Sequence, residues 1–337
     1  MAKVLITGAA GFIGFHLSKL LVQAGHEVTG IDTLNDYYDV NLKMDRLAIL
    51  KEEPDFRFLA TSICEKEDLD KLFREKGFDY VINLAAQAGV RYSIDKPLKY
   101  IDSNLIGFIN ILEACRNYPV KHLIFASSSS VYGANRQIPF STAQSTDHPL
   151  SLYGATKKAN EMMAHSYSAM YNIPCTGLRF FTVYGPYGRP DMAYFSFTKN
   201  IVEGKTIQVF NEGKMMRDFT YIDDITSAIN LLLDKPPVPN TARTDDSNLS
   251  PAESYAPYHI YNIGNNQPVS LLHFIEVLEQ LIGKTAVKEF LPMQKGDMEQ
   301  TFADIDDLHA TIGYRPHTTI EKGLSEFVQW YKTYYAI

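Results

Sequence analysis

The sequence KVLITGAAGFIG, Lys3 to Gly14, runs from a strand-length apolar stretch through three glycines into a segment with helical apolar spacing. Gly8, Gly11 and Gly14 recur every three residues where strand gives way to helix. Glycine lets the backbone turn tightly there. It also lets a diphosphate approach the N–H groups of the helix N-terminus, whose partial positive charge favours an anion. A glycine triplet alone is a weak signal, and its bland reading is a closely packed strand-to-helix turn. After a strand, and opening an amphipathic helix, it predicts a dinucleotide-binding turn.

The next strand, EVTGID, ends in Asp32. A carboxylate there accepts hydrogen bonds from an adenosine ribose diol and repels a 2′-phosphate, so the cofactor expected is NAD rather than NADP. No arginine directly follows Asp32; Lys43 and Arg46 come later, and a solvated helix face is the bland reading that stays open for them. Strand-length runs then alternate with helical ones: FRFLAT, YVINLAA before a helix over 104–116, HLIFASS before a helix over 153–171, and PCTGLRF. This is an α/β pattern, a doubly wound parallel (Rossmann) sheet. From Phe181 the order loosens, with helices near 195–203, 224–233 and 320–334. The division expected is 1–180 as NAD-binding domain and 181–337 as a smaller mixed α/β substrate domain, with some chain returning to the first. Residues 235–259, rich in Pro, Ser, Asn and Asp, read as an exposed loop.

The 337 residues are 45% apolar, enough to bury a sizeable core. A net charge of -7 argues against nucleic-acid binding, which needs clustered Lys and Arg. An anionic ligand must therefore meet a local basic site. Cys64, Cys115 and Cys175 are scattered without metal-ligand spacing, which fits free thiols in a reducing compartment and no metal. The N-terminal residues lack a signal-peptide pattern and no apolar run approaches about 18 residues, so a cytoplasmic protein without membrane partners is expected.

PLSLYGATKKANE, Pro149 to Glu161, places Tyr153 and Lys157 one helical turn apart. A phenol with an unperturbed pKa of ~10 becomes a base near neutrality only where positive charge stabilises its phenolate, and a lysine on the same face supplies that. FASSSSVYG, at the end of the preceding strand, offers Ser127 to Ser130 as the partner that holds a substrate hydroxyl.

Together GAAGFIG, NLAAQAGVRYS, SSSSVYG and YGATKKANE resemble the extended short-chain dehydrogenase/reductase family, in its nucleotide-sugar branch, over essentially the whole chain. The resemblance implies Tyr153 as base, Lys157 as the group that lowers its pKa and holds the nicotinamide ribose, and Ser128 on the substrate hydroxyl, with Ser129 and Ser130 as alternatives. For the cofactor it implies the turn from Gly8 through Gly11, Phe12, Ile13 and Gly14, then Asp32, Asn35 and Lys43, then Ile63, Leu84, Ala85, Ala86 and Asn104. Dehydratases of the branch carry an acidic pair after the hydroxyl residue. Ser129 and Ser130 stand there instead, which argues against dehydration.

DTLNDYYDVNLKMDRL and RFFTVYGPYGRPDMA are similar to segments of the UDP-glucuronate 4-epimerases within that family. Thr182 stands where neutral-sugar epimerases usually have asparagine, and Arg189 is available to a sugar carboxylate, with Arg91 as a second candidate. A 4-keto sugar with a C5 carboxylate is a β-keto acid, so an epimerase must keep the carboxylate out of line with the carbonyl π system; a guanidinium fork can do so. The resemblance further implies substrate contacts from Gln87, Ser93, Ser128, Ser129, Tyr153, Gln208, Arg217 and Asp297. Gln294 replaces an arginine common in relatives. Neutral UDP-sugar epimerisation and UDP-glucuronate decarboxylation are the alternative activities. The family resemblance also implies a homodimer through the helices over 104–116 and 153–171, with Leu105, Phe108, Ile109, Leu112, Met162, Met163 and Tyr167 as an apolar patch.

Overall fold

The computed structural model describes residues 1–240, 250–293 and 299–337. The first part of the chain alternates strand and helix: β1 (Lys3–Thr7), α1 (Phe12–Gln23), β2 (Glu27–Asp32), α2 (Val40–Lys51), β3 (Phe56–Ala60) and α3 (Lys66–Lys76). Then come β4 (Tyr80–Asn83), the short helices α4 (Tyr92–Asp95) and α5 (Pro97–Tyr100), and α6 (Gly107–Asn117). β5 (His122–Ser128), α7 (Leu152–Tyr171) and β6 (Cys175–Phe180) follow. The helix expected over 104–116 begins instead as a π-helical turn, Ile101–Ile106, before α6.

Beyond β6 the chain forms β7 (Thr182–Tyr184), α8 (Ala193–Glu203), β8 (Thr206–Phe210), β9 (Met216–Tyr221) and α9 (Ile222–Leu233). It continues through β10 (Tyr258–Ile263), β11 (Pro268–Ser270), α10 (Leu271–Ile282), β12 (Val287–Leu291), β13 (Gln300–Thr301), α11 (Asp306–Ile312) and α12 (Ile320–Tyr334).

Seven parallel strands in the order β10-β6-β5-β4-β1-β2-β3 make the large sheet. All six residues of β6 are buried, as expected of a strand covered on both faces. The chain leaves β1 toward β2 on one side and later returns to β4 on the other. Ligands of such sheets bind outside the carboxyl ends of the strands at this switch point. β7, β9, β11 and β13 form a small mixed sheet, and β8 pairs with β12. One apolar core joins both parts, from Val4 and Ile6 of β1 to Phe274 of α10 and Phe327 of α12. No helix among the described residues is long and apolar enough to cross a membrane.

Two expectations change here. Residues 241–249 of the expected loop lie outside the described residues; Val238 and Tyr255 are exposed as expected, but part of the segment after 249 is packed. Ala252 and Ala256 are buried, and Ser254 hydrogen-bonds His165 of α7 at 2.8 Å, because small side chains fit closely against that helix. In the expected dimer patch, Phe108 and Leu112 belong to the core, whereas Met162 is 63% exposed.

His122, fully buried at the start of β5, lies 2.7 Å from the Thr176 hydroxyl on β6 and 3.2 Å from the Leu233 carbonyl at the end of α9. Burial pushes its pKa from 6.5 down to about 4. The unfolded chain therefore binds this proton first, so stability is complete above about pH 6.5 and is lost as the pH falls toward 4. By pH 5 the loss from this group is about 2 kcal/mol. Urea unfolding at pH 7 and pH 5 should show a smaller acid loss in His122→Gln than in the parent, and equal losses would refute the assignment.

Candidate active site

The cleft at the switch point is floored by the turn between β1 and α1. Gly8 has φ +73°, and a Cβ there would lie 2.9 Å from the Ala85 nitrogen. At Gly14 a Cβ would fall 2.1 Å from the Gly8 carbonyl oxygen, so α1 can begin this close to the turn only with glycine. Gly8 and Ala9 donate to the Ile31 carbonyl at 2.8 and 3.2 Å, which pins the turn against β2. The first N–H groups of α1, at Phe12 and after, lack intrahelical partners and open on the cleft with Gly11, Ile13 and Gly14. The site thus fits a dinucleotide: a backbone cradle that a Cβ would fill, at a helix N-terminus, beside a strand-end carboxylate.

That carboxylate, Asp32, accepts from the backbone nitrogens of Leu34 at 2.8 Å and Ala10 at 3.2 Å, so turn and acid form one unit. Asn35 and Lys43 line the same end, with Ile63 and the Leu84, Ala85 and Ala86 segment along one wall. The solvated face left open for Lys43 and Arg46 does not hold: they are 4% and 0% exposed. α2 turns this face inward. Lys43 Nζ donates to the Asn35 carbonyl and side chain at 2.7 and 2.8 Å, and lies 4.7 Å from the Tyr38 ring centroid. Burial lowers its pKa, and the charge of Asp32 works against that shift.

The other end is built by the carboxyl end of β5 and the first turns of α7. Ser151 caps α7 by accepting from the Gly154 nitrogen at 3.0 Å, and the helical spacing then brings Tyr153 and Lys157 to the same cleft. Sequence leaves four serines open; the structure separates them. Ser127 donates to Glu161 at 2.7 Å, whereas Ser128, which lines the cleft beside Tyr153, accepts from the Ser130 nitrogen at 3.2 Å and has its hydroxyl free of Glu161. Ser129 begins a 3-10 turn, Ser129–Tyr132, and is not part of the lining.

Lys157 Nζ donates to the Ala126 carbonyl at 2.7 Å, and burial pushes its pKa down to about 8. Burial also raises Tyr153, against the Ser128 hydrogen bond and the positive charge of Arg189. The protein's own groups thus keep the phenol protonated.

Arg189 lines the cleft, but its fork is engaged. Nε donates to Asp191 Oδ1 at 3.0 Å and Nη2 to Oδ2 at 2.5 Å, while the Tyr37 hydroxyl donates to the same carboxylate at 3.0 Å. The guanidinium lies 5.7 Å from the Tyr37 ring centroid. Two of the three nitrogens of the fork are thus held by Asp191, and Nη1 has no hydrogen-bond partner among the described residues.

Several expected residues stand elsewhere. Asn104 is buried behind the wall, accepting from the Gln87 nitrogen at 2.8 Å and donating to Thr156 at 3.0 Å, so it braces the segment carrying Gln87. Gln87 itself lines the cleft. Arg91 lies 5.8 Å from the Phe210 ring centroid, and Ser93 turns back to the Val90 carbonyl at 2.6 Å. Thr182 is half-buried between the lining residues Phe181 and Val183. Gln208 sits on the exposed face of β8, and Arg217 on β9 donates to the carbonyls of Met216 and Glu299 at 2.9 and 3.2 Å. Asp297 and Gln294 lie outside the described residues. Sequence reasoning missed Tyr37 and Asp191. The one signal available was the opposite charge two residues after Arg189.

The chain matches the model of the NAD dependent epimerase/dehydratase family over residues 4–264. It is 56% identical to Protein CapI of Staphylococcus aureus over 333 residues, which is 99% of either chain. A probable UDP-glucuronate 4-epimerase of Rhizobium meliloti is 45% identical over 99% of this chain and 98% of its own. Among solved structures, UDP-glucuronic acid 4-epimerase from Bacillus cereus, in complex with UDP-glucuronic acid and NAD, superposes with a TM-score of 0.84 at 35% identity, covering 99% of this chain and all of the other. A glycine cradle at the sheet's switch point, a strand-end acid and a Ser128, Tyr153 and Lys157 cluster are therefore found in a chain that belongs to the NAD dependent epimerase/dehydratase family.

Proposed function

We propose that the protein is a UDP-glucuronate 4-epimerase that interconverts UDP-glucuronate and UDP-galacturonate. The observation that carries this reading is a guanidinium, Arg189, in one cleft with Tyr153 and a dinucleotide cradle, in a chain 45% identical to a probable enzyme of that activity. NAD, tightly held, supplies a hydride acceptor and donor at C4 and is regenerated in each turnover. Ser128 holds the C4 hydroxyl and Tyr153 takes its proton. Lys157, whose ammonium the Ala126 carbonyl holds in the cleft, would hold the nicotinamide ribose of the cofactor and supplies positive charge that favours the phenolate. The 4-keto sugar then turns about its diphosphate and is reduced on the opposite face, with Tyr153 returning the proton. No further acid or base is needed.

In this reading Asp32 holds the adenosine ribose, while Asn35, Lys43 and Ile63 flank it. Gln87 borders the sugar, with Thr182, Arg189 and Arg91 toward the carboxylate, and Gln208 and Arg217 meet the UDP half. Residues 1–180 supply the cofactor site and 181–337 the sugar-nucleotide site, with β10 returned to the large sheet. Pairing of α6 and α7 with those of a second copy is the proposed dimer; the exposed Ile106, Met162 and Met170 support it. The free thiols fit a cytoplasmic, reducing setting.

UDP-glucuronate decarboxylation is the second reading, favoured by Asp191 already occupying the fork of Arg189. NMR of products after incubation with UDP-glucuronate, UDP-glucose and UDP-N-acetylglucosamine, without added NAD, separates the readings. UDP-galacturonate is the expected product. UDP-pentose with carbon dioxide would establish the decarboxylase, and turnover of neutral sugars alone would overturn the substrate.

A further inference from the structure

Three successive carbonyls just before Arg189 are held by side chains from the nucleotide-binding side of the cleft. His16 on α1 donates Nε2–H to the Pro186 carbonyl at 2.9 Å. Arg46 on α2 donates Nε and Nη2 to the Tyr187 carbonyl at 3.1 and 2.6 Å, and Nη2 also to the Gly188 carbonyl at 3.4 Å. Its Nη1 reaches the other way, to the Ala10 carbonyl in the glycine turn at 2.8 Å and to the Tyr38 hydroxyl at 2.7 Å. Arg46 is fully buried, and each of these acceptors is an uncharged oxygen. Burying a cation without a carboxylate is costly, and an apolar residue of similar volume would serve the fold at less cost. What the guanidinium does, and an apolar side chain cannot, is fix the distance between the glycine turn and the loop. On the far side, the Arg189 nitrogen donates to the Tyr194 hydroxyl at 3.1 Å. The backbone of Arg189 is thus held on both sides.

We propose that Arg46 is a positioning residue: by tying the carbonyls of Tyr187 and Gly188 to the glycine turn, it places Arg189 so that the sugar carboxylate stays out of line with the C4 carbonyl. The inference rests on the UDP-glucuronate reading above. Once C4 has been oxidised and its hydride transferred to NAD, alignment lets the C5–C6 bond break. Its electron pair flows toward the C4 carbonyl, C6 leaves as carbon dioxide, and C5 takes a proton from water. The UDP-4-keto-pentose then either takes the hydride back at C4 or departs, leaving reduced cofactor on the protein. Each such event diverts one turnover from epimerisation.

The test is the ratio of UDP-pentose plus UDP-4-keto-pentose to UDP-galacturonate, measured by NMR on NAD-loaded wild type, Arg46→Lys and Arg46→Gln, with reduced cofactor followed by absorbance. The ratio does not depend on how much protein is folded. It should rise at least tenfold in both variants, since displacements of ~1 Å alter rates on that scale, and reduced cofactor should accumulate. In an Arg189→Met background, Arg46→Lys should add nothing further, because both changes act through one group. An unchanged ratio in either folded variant, with UDP-galacturonate still formed, overturns the inference. If neither variant folds, His16→Asn, which frees only the Pro186 carbonyl, must raise the ratio, and failure to do so overturns the inference equally. Wild type that forms no UDP-galacturonate would instead bring down the substrate reading.

Discussion

Replacing Tyr153 with phenylalanine should lower epimerisation by about 10³-fold or more while leaving NAD content unchanged, the scale expected for removing a positioned acid–base group. The change removes one oxygen. The ring remains packed against Tyr100, whose centroid lies 6.1 Å away, and the glycine turn and Asp32, on other elements, are untouched. What is lost is the hydroxyl that, in the proposed mechanism, takes the C4 proton and returns it. Stopped assays of UDP-galacturonate formation, with cofactor released by denaturation and counted, would measure both quantities. A variant retaining more than a tenth of wild-type turnover would remove Tyr153 as base. Loss of bound NAD in parallel would show that the side chain holds the cofactor rather than the proton.

The second large effect is expected beneath the serines. Glu161, on α7, accepts from Arg179 Nε and Nη2 at 2.8 Å each and from Ser127 at 2.7 Å. Arg179 also donates to the Tyr132 hydroxyl at 3.1 Å, and that hydroxyl donates to Asn262 on β10 at 2.6 Å. The Arg179 side chain is 0% exposed and that of Glu161 3%. Glu161→Gln leaves a buried guanidinium without its counter-charge, which costs about 3–5 kcal/mol when one partner of such a pair is removed. Replacing both, as in Glu161→Gln with Arg179→Met, should recover a large part of that loss, because no uncompensated charge remains. Urea unfolding of the two single variants and the double variant gives the coupling directly. A loss below about 1 kcal/mol in Glu161→Gln would refute a structural role for the pair. The single variant should also turn over more slowly, since Ser127 and Ser128 are neighbours on β5 and Ser127 loses its acceptor.

The main sheet and the chemical cluster were legible because their determinants are local. A strand, a glycine turn and a helix are adjacent in Lys3–Gly14, and Tyr153 and Lys157 share one helix, so spacing alone carries the geometry. Serine ranking was not legible. Ser127 and Ser128 are chemically identical, and what separates them is Glu161, 34 residues beyond Ser127, which takes the hydroxyl of one and leaves that of the other in the cleft with Tyr153. The burial of Lys43 and Arg46 was not legible for a related reason. A charged residue on a helix is usually solvated, and the acceptors that bury Arg46, the Tyr187 and Gly188 carbonyls, lie 141 and 142 residues away. Asn104 likewise matches a motif, yet it spends its amide on the backbone of Gln87.

By itself, then, the sequence determined the doubly wound sheet, the dinucleotide turn, the preference for NAD implied by Asp32 and the pairing of Tyr153 with Lys157, all set by neighbours in the chain or by helical period. Tertiary structure alone decided which serine faces the phenol, that Asp191 and Tyr37 hold the fork of Arg189, and that Arg46 joins the cofactor turn to the loop beside it. Those outcomes depend on which carbonyls and carboxylates distant segments bring within hydrogen-bond reach. Burial then makes each donor commit to one partner, a choice no residue type carries on its own.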